Sequence, residues 1–208
     1  MAISTADRWR LARYNAYQWR VELSLVKKIA LTVGMAAVVG LAAQVRVPLP
    51  WTPVPITGQT FAVLLAGIIL GRWWGGASMA FYAGAGAMGM PWFNGWSGGI
   101  GHLAGPTGGY IIGFILAALF VGHLTDKYVK ARRFLPMLGL MLTANFVLIY
   151  IPGLLQLYLW LNLVSGSTVS VYAVLGMGLL PFIAGDIIKA IAAGGAAWGL
   201  MPKQSNDR

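Results

Sequence analysis

Long apolar stretches, separated by short clusters rich in Arg, Lys, Pro and Gly, run through most of the chain. Six of them read as membrane spans, at roughly residues 25–45, 54–71, 74–90, 108–125, 134–164 and 170–200. The first, fourth and last each hold around 20 largely apolar residues, enough for a helix to cross about 30 Å of hydrocarbon. Only Gly71-Arg72-Trp73-Trp74 separates the second from the third, which predicts a tight turn at an interface. The fifth is too long for one straight helix. Pro152-Gly153 is expected to break it into a span and a short outer helix, Leu154 to Leu163.

Composition agrees with a chain dissolved in lipid. Of 208 residues, 58% are hydrophobic and 10% charged, against about 25% charged in soluble domains. The length suits one domain. Residues 25–201 are assigned to an all-α, six-helix transmembrane bundle, residues 1–24 to a basic N-terminal segment, and residues 202–208 to a cytoplasmic tail. Absence of Cys removes disulfides and thiolate chemistry. No signal-peptide pattern opens the chain, since Arg8, Arg10, Arg13 and Arg20 alternate with Trp9, Tyr14, Tyr17 and Trp19. Residues 7–28 instead read as an amphipathic segment on the inner leaflet that anchors and orients the chain.

The net charge of +10 is a topology signal and not a nucleic-acid footprint, because the basic residues fall between apolar runs and no nucleic-acid-binding motif accompanies them. With the N-terminus in the cytoplasm, Arg8, Arg10, Arg13, Arg20, Lys27, Lys28, Arg72, Lys127, Lys130, Arg132, Arg133, Lys203 and Arg208 all lie inside. That is thirteen of the fifteen basic residues. Arg46 lies outside and Lys189 within a span. The asymmetry predicts six spans, both termini cytoplasmic, in the cell (inner, cytoplasmic) membrane.

Lys189 leads to the chemistry. In Gly185-Asp186-Ile187-Ile188-Lys189 an acid and an amine stand three apart inside the last span, so they share a helix face and can pair. Ionisable groups at membrane depth are costly and by default functional. A carboxylate beside an ammonium suits a small polar ligand with donors and acceptors. It suits a monovalent cation less, and with no further acid in the spans there is neither a carboxylate relay nor an oxygen-rich metal cage. Pro181 and Gly185 are expected to bend the helix beside the pair. On the outer side, the proline-fixed Pro48 to Pro55 and the Gly- and aromatic-rich Pro91 to Pro106 are candidates for the roof and wall of an outward-facing pocket. His102 and His123 read as interfacial residues and not as metal ligands. Gly95-Trp96-Ser97-Gly98-Gly99 fits G-x-S-x-G, and intramembrane serine hydrolases of the rhomboid type also have six-span cores. However, the last span offers no His base, so no catalytic residue is assigned. No phosphate-binding loop is present, and any ATP hydrolysis belongs to another chain.

Four segments in order carry a resemblance. They are Pro53-Val54-Pro55-Ile56-Thr57-Gly58-Gln59-Thr60 with Val63 to Gly67, Gly89-Met90-Pro91-Trp92-Phe93 with the Gly-rich loop, Gly105-Pro106-Thr107-Gly108-Gly109-Tyr110, and Gly185 to Lys189. Together they resemble the BioY family, the biotin-binding S components of energy-coupling factor (ECF) vitamin transporters. The resemblance implies an S-component bundle with an outward-facing pocket and capture of biotin, without a cofactor. It also implies partnership with a transmembrane coupling subunit and ATP-binding cassette ATPases on other chains. It places Asp186 and Lys189 at the ligand, followed by Asn94 and the segment of Gly108, Gly109 and Tyr110. Trp92, Phe93 and Trp96 are expected to pack on the apolar part of biotin, and Gln59 is added from the second-span signature. The family's docking face on the first span, alanines four apart, corresponds to Ala36 with Gly40 or to Ala30 with Gly34. Alternatives of other classes are an S component for another vitamin (thiamine or riboflavin), an intramembrane hydrolase and a structural subunit.

Overall fold

The computed structural model describes residues 4–202. The tail beyond Pro202, with Lys203 and Arg208, lies outside the described residues, as does Met1 to Ile3. Among the described residues there are eight helices and one two-stranded ribbon. Helices α1 (Thr5–Glu22), α2 (Leu25–Gln44), α3 (Gln59–Leu70), α4 (Arg72–Ala87), α5 (Ile100–Leu103) and α6 (Gly108–Lys127) are followed by two long ones, α7 (Phe134–Val164) and α8 (Val171–Leu200). Strands β1 (Arg46–Val47) and β2 (Ile56–Thr57) pair antiparallel, and the intervening prolines cap the bundle at that end.

Four helices, α2, α6, α7 and α8, are long and apolar enough to cross a membrane. The protein is therefore multi-pass. The other two expected spans are shorter than the sequence suggests. With 12 and 16 residues, α3 and α4 measure only about 18 and 24 Å at 1.5 Å per residue. The first residues assigned to the second span go instead to β2 and its approach, and the third ends at a turn where Gly89 has φ +108°. Helix α6 is the axis of the bundle, packed on α3, α4 and α7. Its apolar window is 61% buried, against 22–33% for the other long helices. Close approach to α6 depends on glycine. A Cβ on Gly67 of α3 would stand 2.6 Å from the Ala118 carbonyl oxygen, and one on Gly113 of α6 would stand 2.6 Å from Ile149 Cα.

The connection between α3 and α4 is tighter than expected, a single residue. Gly71 takes φ +79°, which costs a glycine nothing, and Arg72 to Trp74 already belong to α4. Two side chains complete the exposed helix ends. Asp126 accepts from the Arg72 backbone N–H at 3.0 Å, and Arg20 donates to the Ile68 carbonyl at 2.9 Å. Arg20 and Asp126 also pair at 2.6 Å. These are the groups that helix termini leave unsatisfied, and the charges have the sign that each terminus favours.

Pro152 does not break the fifth span. Helix α7 continues through it, with π turns at Ala144–Ile149 and Trp160–Val164. A proline ring strikes the carbonyl four residues back in an α-helix, and here that carbonyl belongs to the widened turn. The helix ends later, before Gly166 at φ +69°. The last span is interrupted at the first of the two residues expected to bend it, Pro181, while Gly185 lies within the helix that follows. A 3₁₀ turn at Leu180–Phe182, containing Pro181, separates Val171–Gly178 from Ile183–Leu200. The expected bend beside the charged pair is there.

Helix α1 starts at Ser4, whose side chain accepts from the Asp7 N–H. Its apolar residues are spread around the helix and are less sorted into one face than the sequence reading supposed. Trp9 and Trp19 are exposed. Tyr17 joins it to the bundle, lying between the Arg20 and Arg132 guanidinium groups at 4.5 and 4.7 Å.

Candidate ligand-binding site

A cavity opens where β2, α3, α6, α7, α8 and the loop before α6 converge. Val54, Pro55, Ile111, Phe114, Ile149 and Phe182 form its apolar wall. Its polar wall consists of Thr57, Gln59, Thr60, Asn94, His102, Thr107, Tyr110, Tyr150, Asp186 and Lys189.

The expected Asp186–Lys189 pair forms, at 2.5 Å. It sits just after the 3₁₀ turn, so the first two turns of the Ile183–Leu200 piece present both side chains to the cavity. Asp186 is 3% exposed, and an ionised carboxylate at such depth needs partners. Its Oδ2 accepts from Asn145 Nδ2 at 2.9 Å and from Tyr150 OH at 2.5 Å. Its Oδ1 faces Lys189. All three Lys189 donors are engaged, with Asp186, with the Thr57 carbonyl at 2.9 Å and with Thr60 Oγ1 at 3.0 Å. The pair thus ties α8 to α3 and α7 while facing the cavity.

The opposite wall is ordered by His102. In the tautomer that satisfies every neighbour, Nδ1–H donates to Ser97 Oγ at 3.0 Å. The Nε2 atom then accepts from Asn94 Nδ2 and Thr107 Oγ1, each at 3.3 Å. Ser97 Oγ in turn donates to the Asn94 carbonyl at 2.8 Å. The ring stacks on Phe93 at 4.9 Å. Burial pushes the imidazole below its usual range and favours this neutral form. The G-x-S-x-G serine therefore does touch a histidine, but as acceptor of its proton. Among the described residues no carboxylate orients the ring from the other side, so the arrangement a nucleophilic serine requires is missing.

The sequence-predicted residues divide into two groups. Asp186, Lys189, Asn94, Gln59 and Tyr110 reach the cavity wall. Gln59 is held there between Thr57 Oγ1 at 3.0 Å and Tyr82 OH at 2.9 Å, and Tyr110 donates to the Gly178 carbonyl at 2.8 Å. Trp92, Phe93, Trp96, Gly108 and Gly109 do not line it. Trp92 packs on Tyr82 and against Gly40, and its indole N–H donates to the Tyr82 carbonyl. Phe93 is fully buried against Gly86 and supports His102 from behind. Trp96 is 64% exposed. Gly108 and Gly109 are contact points, where a Cβ would meet the Leu103 and Pro152 carbonyls. Sequence reasoning missed Thr57, Thr60, Asn145 and Tyr150. Thr57 and Thr60 stood inside the quoted second-span segment, a signal that was available. For Asn145 and Tyr150 the only signal was that they are two of the few polar groups in a largely apolar span, beside Thr143, Gln156, Tyr158 and Asn162.

Comparison with known proteins places this geometry. A profile of the BioY family matches residues 13–205. The chain belongs to the BioY family. Its relatives include the probable biotin transporter BioY of Methanothermobacter thermautotrophicus, 52% identical over 140 residues that cover 67% of this chain and 89% of that protein. The probable biotin transporter BioY of Pyrococcus horikoshii is 38% identical over 167 residues, 80% of this chain and 91% of the relative. The biotin transporter BioY of Thermotoga maritima is 34% identical over 157 residues, 76% and 85% of the two chains. In fold, the chain is similar to the S-component for biotin from an ECF-type ABC transporter, solved at 2.1 Å. The TM-score is 0.74 at 23% identity, over 98% of this chain and 96% of that one. Each of the four segments that carry the BioY resemblance contributes to the cavity wall, through Thr57 and Gln59, Asn94, Tyr110, and Asp186 with Lys189.

Proposed function

We propose that this chain captures biotin as the membrane-embedded substrate-binding subunit of an ECF-type transporter in the cytoplasmic membrane. The observation that carries the reading is the Asp186–Lys189 pair on the wall of a cavity in a BioY-family chain. Biotin's ureido ring offers two N–H donors and a carbonyl acceptor. Asp186 accepts from an N–H, Lys189 donates to an oxygen, and Asn94, Gln59 and Tyr110 supply further polar contacts. The apolar wall of Ile111, Phe114, Ile149 and Phe182 takes the bicycle and chain.

In this reading α3 and α4 complete six spans, with both ends in the cytoplasm and α1 on the inner leaflet. Energy comes from ATPases and a transmembrane coupling subunit on other chains. Of the two small-residue pairs on α2, Ala36 and Gly40 are buried, with Gly40 against Trp92, while Ala30 and Gly34 are exposed and Gly34 has open space beside it. Ala30 and Gly34 are therefore the docking pair. A panel of labelled vitamins in one binding assay on the purified protein tests the substrate. Biotin is expected to bind and thiamine and riboflavin not to. Asp186→Asn and Lys189→Ala should each weaken biotin at least tenfold, about 1.4 kcal/mol, without unfolding the protein. Wild-type affinity in both variants would sink the site assignment.

A further inference from the structure

Both side chains that hold Oδ2 of Asp186 come from one short stretch of α7. Asn145 and Tyr150 stand five residues apart. In an α-helix, at 3.6 residues per turn, positions five apart diverge by roughly 140° around the axis. They would point to different neighbours. Between them, however, α7 is not α-helical. Residues Ala144–Ile149 form a π turn, and the Tyr150 backbone N–H donates to the Asn145 carbonyl. That i→i+5 closure stacks the two residues on one face. The second π turn of the same helix, Trp160–Val164, contributes nothing to the cavity.

Asn145 supplies an independent observation. It is 1% exposed, and among the described residues its Oδ1 has no hydrogen-bond partner while its Nδ2 holds Asp186. A buried amide oxygen without a partner is costly, and an apolar residue of the same size would avoid the cost. The donor is what the position uses.

We propose that the π turn of α7 is a positioning device for the Asp186 carboxylate. The extra residue in the turn brings Asn145 and Tyr150 to one face as a two-donor clamp. The clamp fixes Oδ2 and the plane of the carboxylate, and leaves Oδ1 to Lys189 and the cavity. A ligand then meets an acceptor that is already oriented, and binding does not have to order it. The proposal rests on the reading of Asp186 as a ligand-binding group. Asn145 and Tyr150 act through Asp186 and are positioning residues in it.

Three variants and two readouts test the clamp. Tyr150→Phe removes only the hydroxyl and keeps the ring against Tyr110 and Phe146. Deletion of Val147 removes the extra residue of the turn. Deletion of Leu163 does the same to the second π turn and is the control. Biotin affinity should fall about tenfold, or about 1.4 kcal/mol, in Tyr150→Phe and at least as far on deletion of Val147. It should stay within about twofold on deletion of Leu163. In an Asp186→Asn background Tyr150→Phe should cost nothing more, whereas a packing role would remain additive. The infrared carboxylate band of Asp186, isolated by subtracting the Asp186→Asn spectrum, should shift in Tyr150→Phe without any ligand present. An unshifted band, or Tyr150→Phe with wild-type affinity, overturns the clamp. If the wild type binds no biotin at all, the proposed function falls, and the band still decides on the clamp.

Discussion

The two ends of α3 each carry a buried charged cluster, built in different ways. At its start, Asp186 and Lys189 are held mainly by other side chains, those of Asn145, Tyr150 and Thr60, beside an open cavity. At its end, Arg20, Asp126 and Arg132 are held largely by the backbone. Arg132 is 5% exposed and donates to the carbonyls of Thr125, Asp126 and Pro202 and to Tyr17 OH. Backbone acceptors in packed helix ends cannot turn away, so this cluster works as a staple. Side-chain partners can rotate and exchange, so the first cluster can trade contacts with a ligand. Both satisfy their charges, and what separates them is whether the partners are replaceable.

The largest effect that sharpens this contrast is expected from Asp186→Ala. It leaves the Lys189 ammonium buried without its counter-charge, and biotin affinity should fall at least about a hundredfold, roughly 2.7 kcal/mol. Isothermal titration checks it. Next comes Arg132→Ala, which strands several carbonyls and should destabilise the fold by about 2 kcal/mol. Thermal melts in detergent should show the loss, while the protein that remains folded keeps its biotin affinity. If that affinity drops with the melting temperature, the two ends of α3 are not separable. The smallest effect concerns His102. The unfolded imidazole takes its proton near pH 6.5, whereas the folded one, depressed by burial, takes it only at lower pH. Its contribution is therefore full above that value and is lost as pH falls through the folded pKa. The wild-type melting temperature should fall more steeply than that of His102→Gln as pH drops below about 6.5, and parallel curves would remove His102 from the account.

Much of this was legible along the chain. Asp186 and Lys189 were readable because three residues make nearly one helical turn and hydrocarbon leaves charges no other use. Pro181 announced the break before them. Pro152 misled because a π turn absorbed it, and nothing in single-residue propensity marks a turn that depends on tertiary partners. Trp92 and Phe93 looked like ligand-stacking groups. The structure gives them slots emptied by Gly40 and Gly86, a complementarity between distant positions that no local pattern contains. His102 was read as a lone interfacial residue because its partners, Asn94, Ser97 and Thr107, are polar residues of a Gly-rich loop whose path the sequence does not set. The short α3 and α4 were overestimated because apolar residues continue past their ends into the ribbon and turns.

The seat of Tyr17 also sets an order in time. Helix α1 is made before the rest of the described bundle, yet the seat of its Tyr17 is not complete until Arg132 emerges 115 residues later. Arg132 finds its last acceptor only when Pro202 follows, a further 70 residues on. Contacts so far apart in sequence close late, so the seat of Tyr17 is expected to be finished only after the rest of the described bundle has been made.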